Sequence, residues 1–248
     1  VKKYNKIYFL HIPKTGGRFL SKYILEPIQN TLEQNNIKTI SLPSNIHKHG
    51  GWYKDIDDET YVITIFRDPV EFFISALAHM ISDEVGLIDK NNNFILKHNG
   101  ASLEIEKYQI YKALSEFTYL KDFQSQNFIL EPSIGNTIYE SRVKHKDNFI
   151  INKELVYKRI KRTNLMLRHK DLKNMNYYDL VNKISSDLGV DIKINLGETD
   201  SLTFKNYASE SLFNKLSQEE KDYIYNHFMF DKEIYYNDSL FWNPSSSK

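Results

Sequence analysis

Two short stretches of this chain carry residue types that hold anions, and each directly follows an apolar run. The first is His11-Ile-Pro-Lys-Thr-Gly-Gly17 and the second is Phe66-Arg-Asp-Pro-Val70. Where a strand turns into a helix, the helix start offers unpaired N–H groups and a partial positive charge, which bind phosphate- and sulfate-like groups. Gly16 and Gly17 let the backbone approach such a group closely, and Lys14 adds a formal charge. A Walker A loop places its lysine after the second glycine. Here Lys14 comes before both glycines, which argues against a standard nucleoside triphosphatase. The same residues also fit an ordinary tight turn with a solvated lysine. In the second stretch, Arg67 can fork onto a second phosphate. Ser75 lies eight residues on, a little over two helical turns, and returns to the same face. The alternative for Arg67 is an ion pair with Asp68 or Glu71.

The elements that must position these residues are legible from periodicity. Lys6 to Ile12 is apolar and rich in β-branched and aromatic residues, which reads as a buried strand. Arg18 to Gln29 carries apolar residues at Phe19, Leu20, Tyr23, Ile24 and Ile28, a helical spacing. Ile37 to Leu42 and Tyr61 to Phe66 read as further strands, and Leu165 to Leu167 and Phe149 to Ile151 as shorter ones. Pro69 stands just inside a helix from about Val70 to Ser82, where its missing N–H would be unpaired anyway. Helical patterns also cover Asp171 to Leu188 and Ser217 to Phe228. Strands alternating with helices imply an α/β fold with a mainly parallel central sheet and helices on both faces. Asp89 to Gly100 and Pro132 to Asp147 read as surface excursions, the first long enough for a substrate loop. No linker divides the pattern, so residues 1–248 read as one domain.

Composition narrows the function classes. Lys plus Arg is 33 and Asp plus Glu is 32, a net charge of +1, so a dedicated nucleic-acid binder is not expected. An anionic ligand must then be held by a local cluster of charge. There are no cysteines, which excludes disulfides, thiolate zinc sites and cysteine nucleophiles. The eight histidines show no metal-ligand spacing, so no metal is expected. The apolar runs are too short to span a bilayer, and no signal peptide is recognisable in the first residues. A cytoplasmic protein is the expectation. Among the 17 tyrosines, Tyr223, Tyr225, Tyr235 and Tyr236 fall at helical spacing and read as packing residues. Lys158-Arg-Ile-Lys-Arg162 reads as a solvated helix face, with a basic track for an anionic glycan as the alternative.

Taken together, His11 to Gly17 and Phe66-Arg-Asp-Pro-Val-Glu-Phe-Phe-Ile-Ser75 resemble sulfotransferases that use 3'-phosphoadenosine 5'-phosphosulfate (PAPS). The likeness is greatest to the carbohydrate branch that includes heparan sulfate 2-O-sulfotransferase. It implies a P-loop-like sulfotransferase fold. It also implies that Lys14, the amides of Thr15, Gly16, Gly17 and Arg18, and Phe19 hold the 5'-phosphosulfate. Arg67 and Ser75 are assigned to the 3'-phosphate in the same way. Both motifs lie in about the first third of the chain. Phe123-Gln124-Ser-Gln-Asn127 looks like the Asn/Gln-containing helix start found midway in the family, and Asp231 to Tyr236 looks like its C-terminal helix. Arg18 departs from the pattern, since the family usually has Thr or Ser there. Arg168-His169 departs from the acidic residue that often ends the fourth strand. The adenine contacts are left open.

The implied reaction transfers a sulfuryl group from PAPS to a hydroxyl of a glycan or small molecule, and adenosine 3',5'-bisphosphate (PAP) is the product. A proton must leave the attacking hydroxyl, and an imidazole is suited to take it. The 2-O-sulfotransferase branch carries a His-x-His pair at a place comparable to His47-Lys-His49, which makes His49 the first choice of base and His47 the second. Solvated loop histidines are the plain alternative. Lys14 would also stabilise charge on the leaving phosphate. Trp52 and Tyr53, directly after that loop, are candidates for an acceptor platform. His11 reads as structural support for the first loop. Two other classes stay open: a small-molecule kinase with an atypical phosphate loop, and a catalytically inactive nucleotide-binding module of the same fold.

Overall fold

The computed structural model describes residues 4–40, 51–83, 114–115, 121–130, 151–172, 175–193, 213–214 and 216–243, with the backbone alone at 18, 40 and 77–83. Its strands are β1 (Lys6–Leu10), β2 (Lys38–Ile40), β3 (Thr60–Phe66) and β4 (Leu165–Arg168). They form one sheet in the order β2-β1-β3-β4, and every pairing is parallel. Ile7 lies opposite Tyr61, and Ile63 opposite Leu165. The β3 segment Thr-Tyr-Val-Ile-Thr-Ile-Phe is buried along its whole length, as a central strand covered on both sides must be.

Alternation along the strands divides the core in two. Tyr8, Leu10, Val62, Phe66 and Met166 face one side. There they meet Phe72 and Phe73 of α3 (Pro69–Asp83), Phe123 of α4 (Phe123–Gln126) and Val156 of α5 (Lys153–Lys161). Ile224 of α8 (Gln218–His227) and Phe230 of α9 (Met229–Tyr235) complete that side. Ile7, Phe9, Ile63, Ile65 and Leu167 face the other side. They pack on Leu20, Ile28 and Leu32 from a continuous helical run: α1 (Gly17–Phe19), a π-helical turn Leu20–Leu25, and α2 (Glu26–Gln34). Leu172 of α6 (His169–Leu172) and Leu180 and Ile184 of α7 (Tyr177–Leu188) join them. The expected parallel sheet with helices on both faces is therefore present.

The strand order has a functional consequence. From β1 the chain crosses outward to β2, and from β3 it crosses outward in the opposite direction to β4. The two connections leave a crevice between the carboxyl ends of β1 and β3, the topological switch point where open α/β sheets gather ligands.

Some boundaries differ from the sequence expectation. β1 ends at Leu10, because the Ile12 N–H turns back onto the Leu10 carbonyl at 3.1 Å. The first helical run continues to Gln34, five residues beyond Gln29. The expected helix from Asp171 to Leu188 is two helices. Asn176 is extended and its side chain accepts from the Tyr178 N–H at 3.0 Å, so a new helix starts there with its own cap. Ile151 is not in a strand; it precedes Asn152, which caps α5. The excursions Asp89 to Gly100 and Pro132 to Asp147 lie outside the described residues.

Candidate functional site

The turn from β1 into α1 is shaped by three local features. Lys14 has φ 64° and Gly16 has φ 95°, so two residues of the loop adopt left-handed backbone. Glycine tolerates that conformation freely, whereas for lysine it carries strain. Between them, the buried Thr15 donates its hydroxyl to the Ile12 carbonyl at 2.8 Å and closes the turn. The third feature is His11. It stacks on Phe9 with centroids 5.3 Å apart, and its ring lies so close to Gly17 that a Cβ there would sit 2.0 Å from Cδ2 and 2.2 Å from Nε2. Gly17 is thus required by the imidazole packed over it. His11 supports the loop, as its place at the strand end suggested.

The helix that follows starts without help from side chains. Gly16 offers no cap, and no acidic residue stands in the first turn. Its leading N–H groups have no intrahelical acceptors and carry the positive end of the helix dipole. The absence of a carboxylate keeps the positive potential of this turn unanswered by its own side chains.

The second motif closes over the first. Arg67, just past the end of β3, is buried. Its Nε donates to Glu71 Oε2 at 3.1 Å and its Nη1 donates to the Lys14 carbonyl at 3.2 Å. The two motifs therefore meet at the switch point, joined by the guanidinium itself. Burial pulls the Arg67 pKa downward while Glu71 opposes that shift; an arginine stays charged nonetheless. The ion pair with Glu71 is one of the alternatives open at the sequence level. Glu71 Oε2 is also 3.8 Å from Nδ1 of the buried His169 at the end of β4. The Arg67 backbone is held as well. Its N–H donates to Gln124 Oε1 at 2.8 Å, and its carbonyl accepts from Gln124 Nε2 at 2.9 Å.

Three carboxylates anchor this arrangement to the C-terminal helices. Asp68 caps α3 by accepting from the Val70 and Glu71 N–H groups at 2.9 and 3.2 Å. Its other oxygen accepts from the hydroxyls of Tyr225 and Tyr236 at 2.7 and 2.8 Å. Asp231, fully buried, accepts from the N–H groups of Gln124 and Ser125 at 2.9 and 2.7 Å and from the Ser125 hydroxyl. Asp122 returns the arrangement by accepting from Phe230 and Asp231 N–H at 2.8 and 3.1 Å. Each acid thus caps the start of the other's helix. Burial raises both carboxyls above the usual range, and the Asp122 charge adds to the rise at Asp231.

Of the residues singled out from sequence, Lys14, Thr15, Gly16, Gly17 and Arg67 are brought together at the switch point. Phe19 is buried and packs on Tyr177, with ring centroids 4.8 Å apart. Ser75 is buried on α3. Trp52 is a core residue: it stacks on Phe128 with centroids 6.2 Å apart, and Arg159 lies over its ring. Tyr53 is half-buried and meets Tyr8 edge-on. His47 and His49 lie outside the described residues. In the basic run, Arg159 donates to the carbonyls of Phe128 and Ile129, and Arg162 pairs with Asp58, so neither arginine is simply solvated. Arg168 stands over the Phe241 ring at 4.3 Å and pairs with Asp238 at 2.6 Å. Sequence reasoning anticipated Glu71 as a partner of Arg67 and singled out the segments Phe123 to Asn127 and Asp231 to Tyr236. It missed the contacts they make: the Gln124 pair with the Arg67 backbone, the Asp231 hold on α4, and the Tyr225 and Tyr236 hydroxyls on Asp68. The polar cluster Gln124-Ser-Gln-Asn127 is wholly buried.

Among the described residues no group of His, Asp and Glu could hold a metal ion, and no helix is long and apolar enough to cross a membrane. Compared with known families and with curated proteins, the chain matches no family model and no curated protein.

Proposed function

We propose that this chain is a PAPS-dependent O-sulfotransferase acting on a hydroxyl of a glycan or small molecule. The observation that carries the reading is the Arg67 contact with the Lys14 carbonyl. It joins two cationic loops at the switch point of a parallel sheet, where a ligand with two separated anionic groups can meet both. The uncapped, acid-free helix start fits a phosphosulfate, and a guanidinium already oriented by Glu71 fits a second phosphate. PAPS, when bound, supplies the sulfuryl group and leaves as the bisphosphate. Lys14 and the amides from Thr15 to Arg18 hold its 5' end, with Lys14 stabilising charge on the departing phosphate. Arg67 and Ser75 hold the 3'-phosphate. His49, or His47 in its place, takes the acceptor proton.

One observation favours a second reading. The Arg67 charge is already answered by Glu71, as it would be in a binding module of this fold without transfer activity. Sulfur-labelled PAPS offered with a panel of sugars, glycans and small alcohols distinguishes the readings. A labelled acceptor, lost in His49→Ala, is the expected result. No labelled acceptor from a chain that still binds the bisphosphate would overturn the proposal in favour of the binding module, and phosphate transfer in a parallel assay with labelled ATP would overturn it in favour of a kinase.

A further inference from the structure

The Gln124 side chain does something unusual for a buried amide, since it pairs with both backbone groups of one residue, the N–H and the carbonyl of Arg67. Arg67 has just left β3, so its backbone has lost the sheet ladder that fixed Phe66 opposite Arg168. Gln124 replaces that ladder with a two-point pair of the same hydrogen-bonding pattern. The amide is fully buried and has no water to fall back on. Its own position is set from behind. α4 is only four residues long and starts at Asp122 with φ 47°, so it has little helical stability of its own. The Asp231 carboxylate supplies the missing hold by binding the Gln124 and Ser125 N–H groups. A continuous chain of hydrogen bonds therefore runs from α9 through Asp231 and Gln124 to the Arg67 backbone.

We propose that Gln124, held by Asp231, is a positioning residue that aims the Arg67 guanidinium and so sets the preference for a ligand with a 3'-phosphate. This rests on the reading of Arg67 as the 3'-phosphate residue. Backbone rotation at Arg67 would swing a long side chain by several times the displacement at its Cα. Glu71 and the Lys14 carbonyl each hold one nitrogen of the guanidinium, and Gln124 fixes the end from which it is levered. Gln124 touches the ligand in no part of this role; it acts through Arg67.

The test compares adenosine 3',5'-bisphosphate with adenosine 5'-phosphate by titration calorimetry on the wild-type chain and on Gln124→Met. Methionine keeps the length of the side chain and removes both hydrogen bonds. The expected result is a roughly tenfold loss of affinity for the bisphosphate, the size of one charge-assisted contact, with affinity for the 5'-phosphate unchanged. An equal loss for both ligands assigns Gln124 to general folding and overturns the inference. No loss for either overturns it as well, while leaving the sulfotransferase reading intact. If Gln124→Met does not fold, Gln124→Leu is used. It is uncharged and removes the same two hydrogen bonds, and the same selective loss is expected. Failure of both variants to fold makes Gln124 a stability residue and overturns the inference. A wild-type chain with no preference for the bisphosphate removes the underlying reading and the inference with it.

Discussion

Replacing Gly17 with alanine should destabilise the protein, against the ordinary preference of helices. Gly17 is the first residue of α1 and is not among the glycines with positive φ, so its backbone would accept a side chain. In open space the change would gain about 0.5–1 kcal/mol. The new methyl would instead meet the His11 ring at 2.0 Å from Cδ2 and 2.2 Å from Nε2. Normal carbon contacts are about 3.5–4.0 Å, so the ring would have to retreat by about 1.5 Å. It has little room, being buried and stacked on Phe9. Overpacking of this kind costs about 1–3 kcal/mol, so after the helical gain is subtracted the net loss should be about 1–2 kcal/mol. A double-mutant cycle with His11→Ala isolates the contact. Once the imidazole is gone, Gly17→Ala should become neutral or slightly stabilising, so the two changes couple by about 2 kcal/mol. Urea denaturation of the four proteins measures this. Additive effects, or a Gly17→Ala protein as stable as wild type, would refute the claim that the motif glycine makes room for His11.

Lys14→Gly should leave stability unchanged or raise it by about 1 kcal/mol, since glycine relieves the left-handed backbone, while bisphosphate affinity falls. Weakened stability and retained affinity would together reverse that account. Arg67→Ala should cost about 3 kcal/mol of folding stability, because it strands Glu71 and the Lys14 carbonyl. Adding Glu71→Gln should recover part of that loss in thermal melts. A third prediction concerns pH. Burial raises Asp122 and Asp231, so between the ordinary aspartate value of about 4 and their raised values the native state holds protons that the unfolded chain has released. Their contribution is then complete below that ordinary value and is lost as pH rises through the folded values. Asp122→Asn should flatten this fall in a plot of unfolding free energy against pH, and an unchanged slope would count against it.

Much of the scaffold was legible because it depends on local pattern. β1 and β3 are continuous apolar runs, and Pro69 and the helical pattern from Ser217 mark helix starts within a few residues. The helix break before Tyr177 was not, because the apolar spacing runs on across it while Asn176 turns extended and caps a new helix. At the site, the meeting of the two motifs followed from strand order. The reasons for individual residues did not. Gly17 looked like an opening for a ligand, yet its neighbour is a histidine six residues back, across a turn whose shape no periodicity encodes. Arg67 was open between a ligand and an ion pair, and the Glu71 contact is now visible. Gln124, which holds the Arg67 backbone, and the tyrosines that donate to the neighbouring Asp68 come from segments remote in sequence that only the folded sheet brings near.

Calorimetric titration of the wild-type chain with adenosine 3',5'-bisphosphate and with ATP tests the central claim most directly. The account predicts micromolar binding of the bisphosphate and much weaker binding of ATP. It further predicts that Arg67→Ala, while still folded, loses about 1.5–3 kcal/mol of the bisphosphate binding energy. Tighter binding of ATP, or full bisphosphate affinity in folded Arg67→Ala, would contradict it.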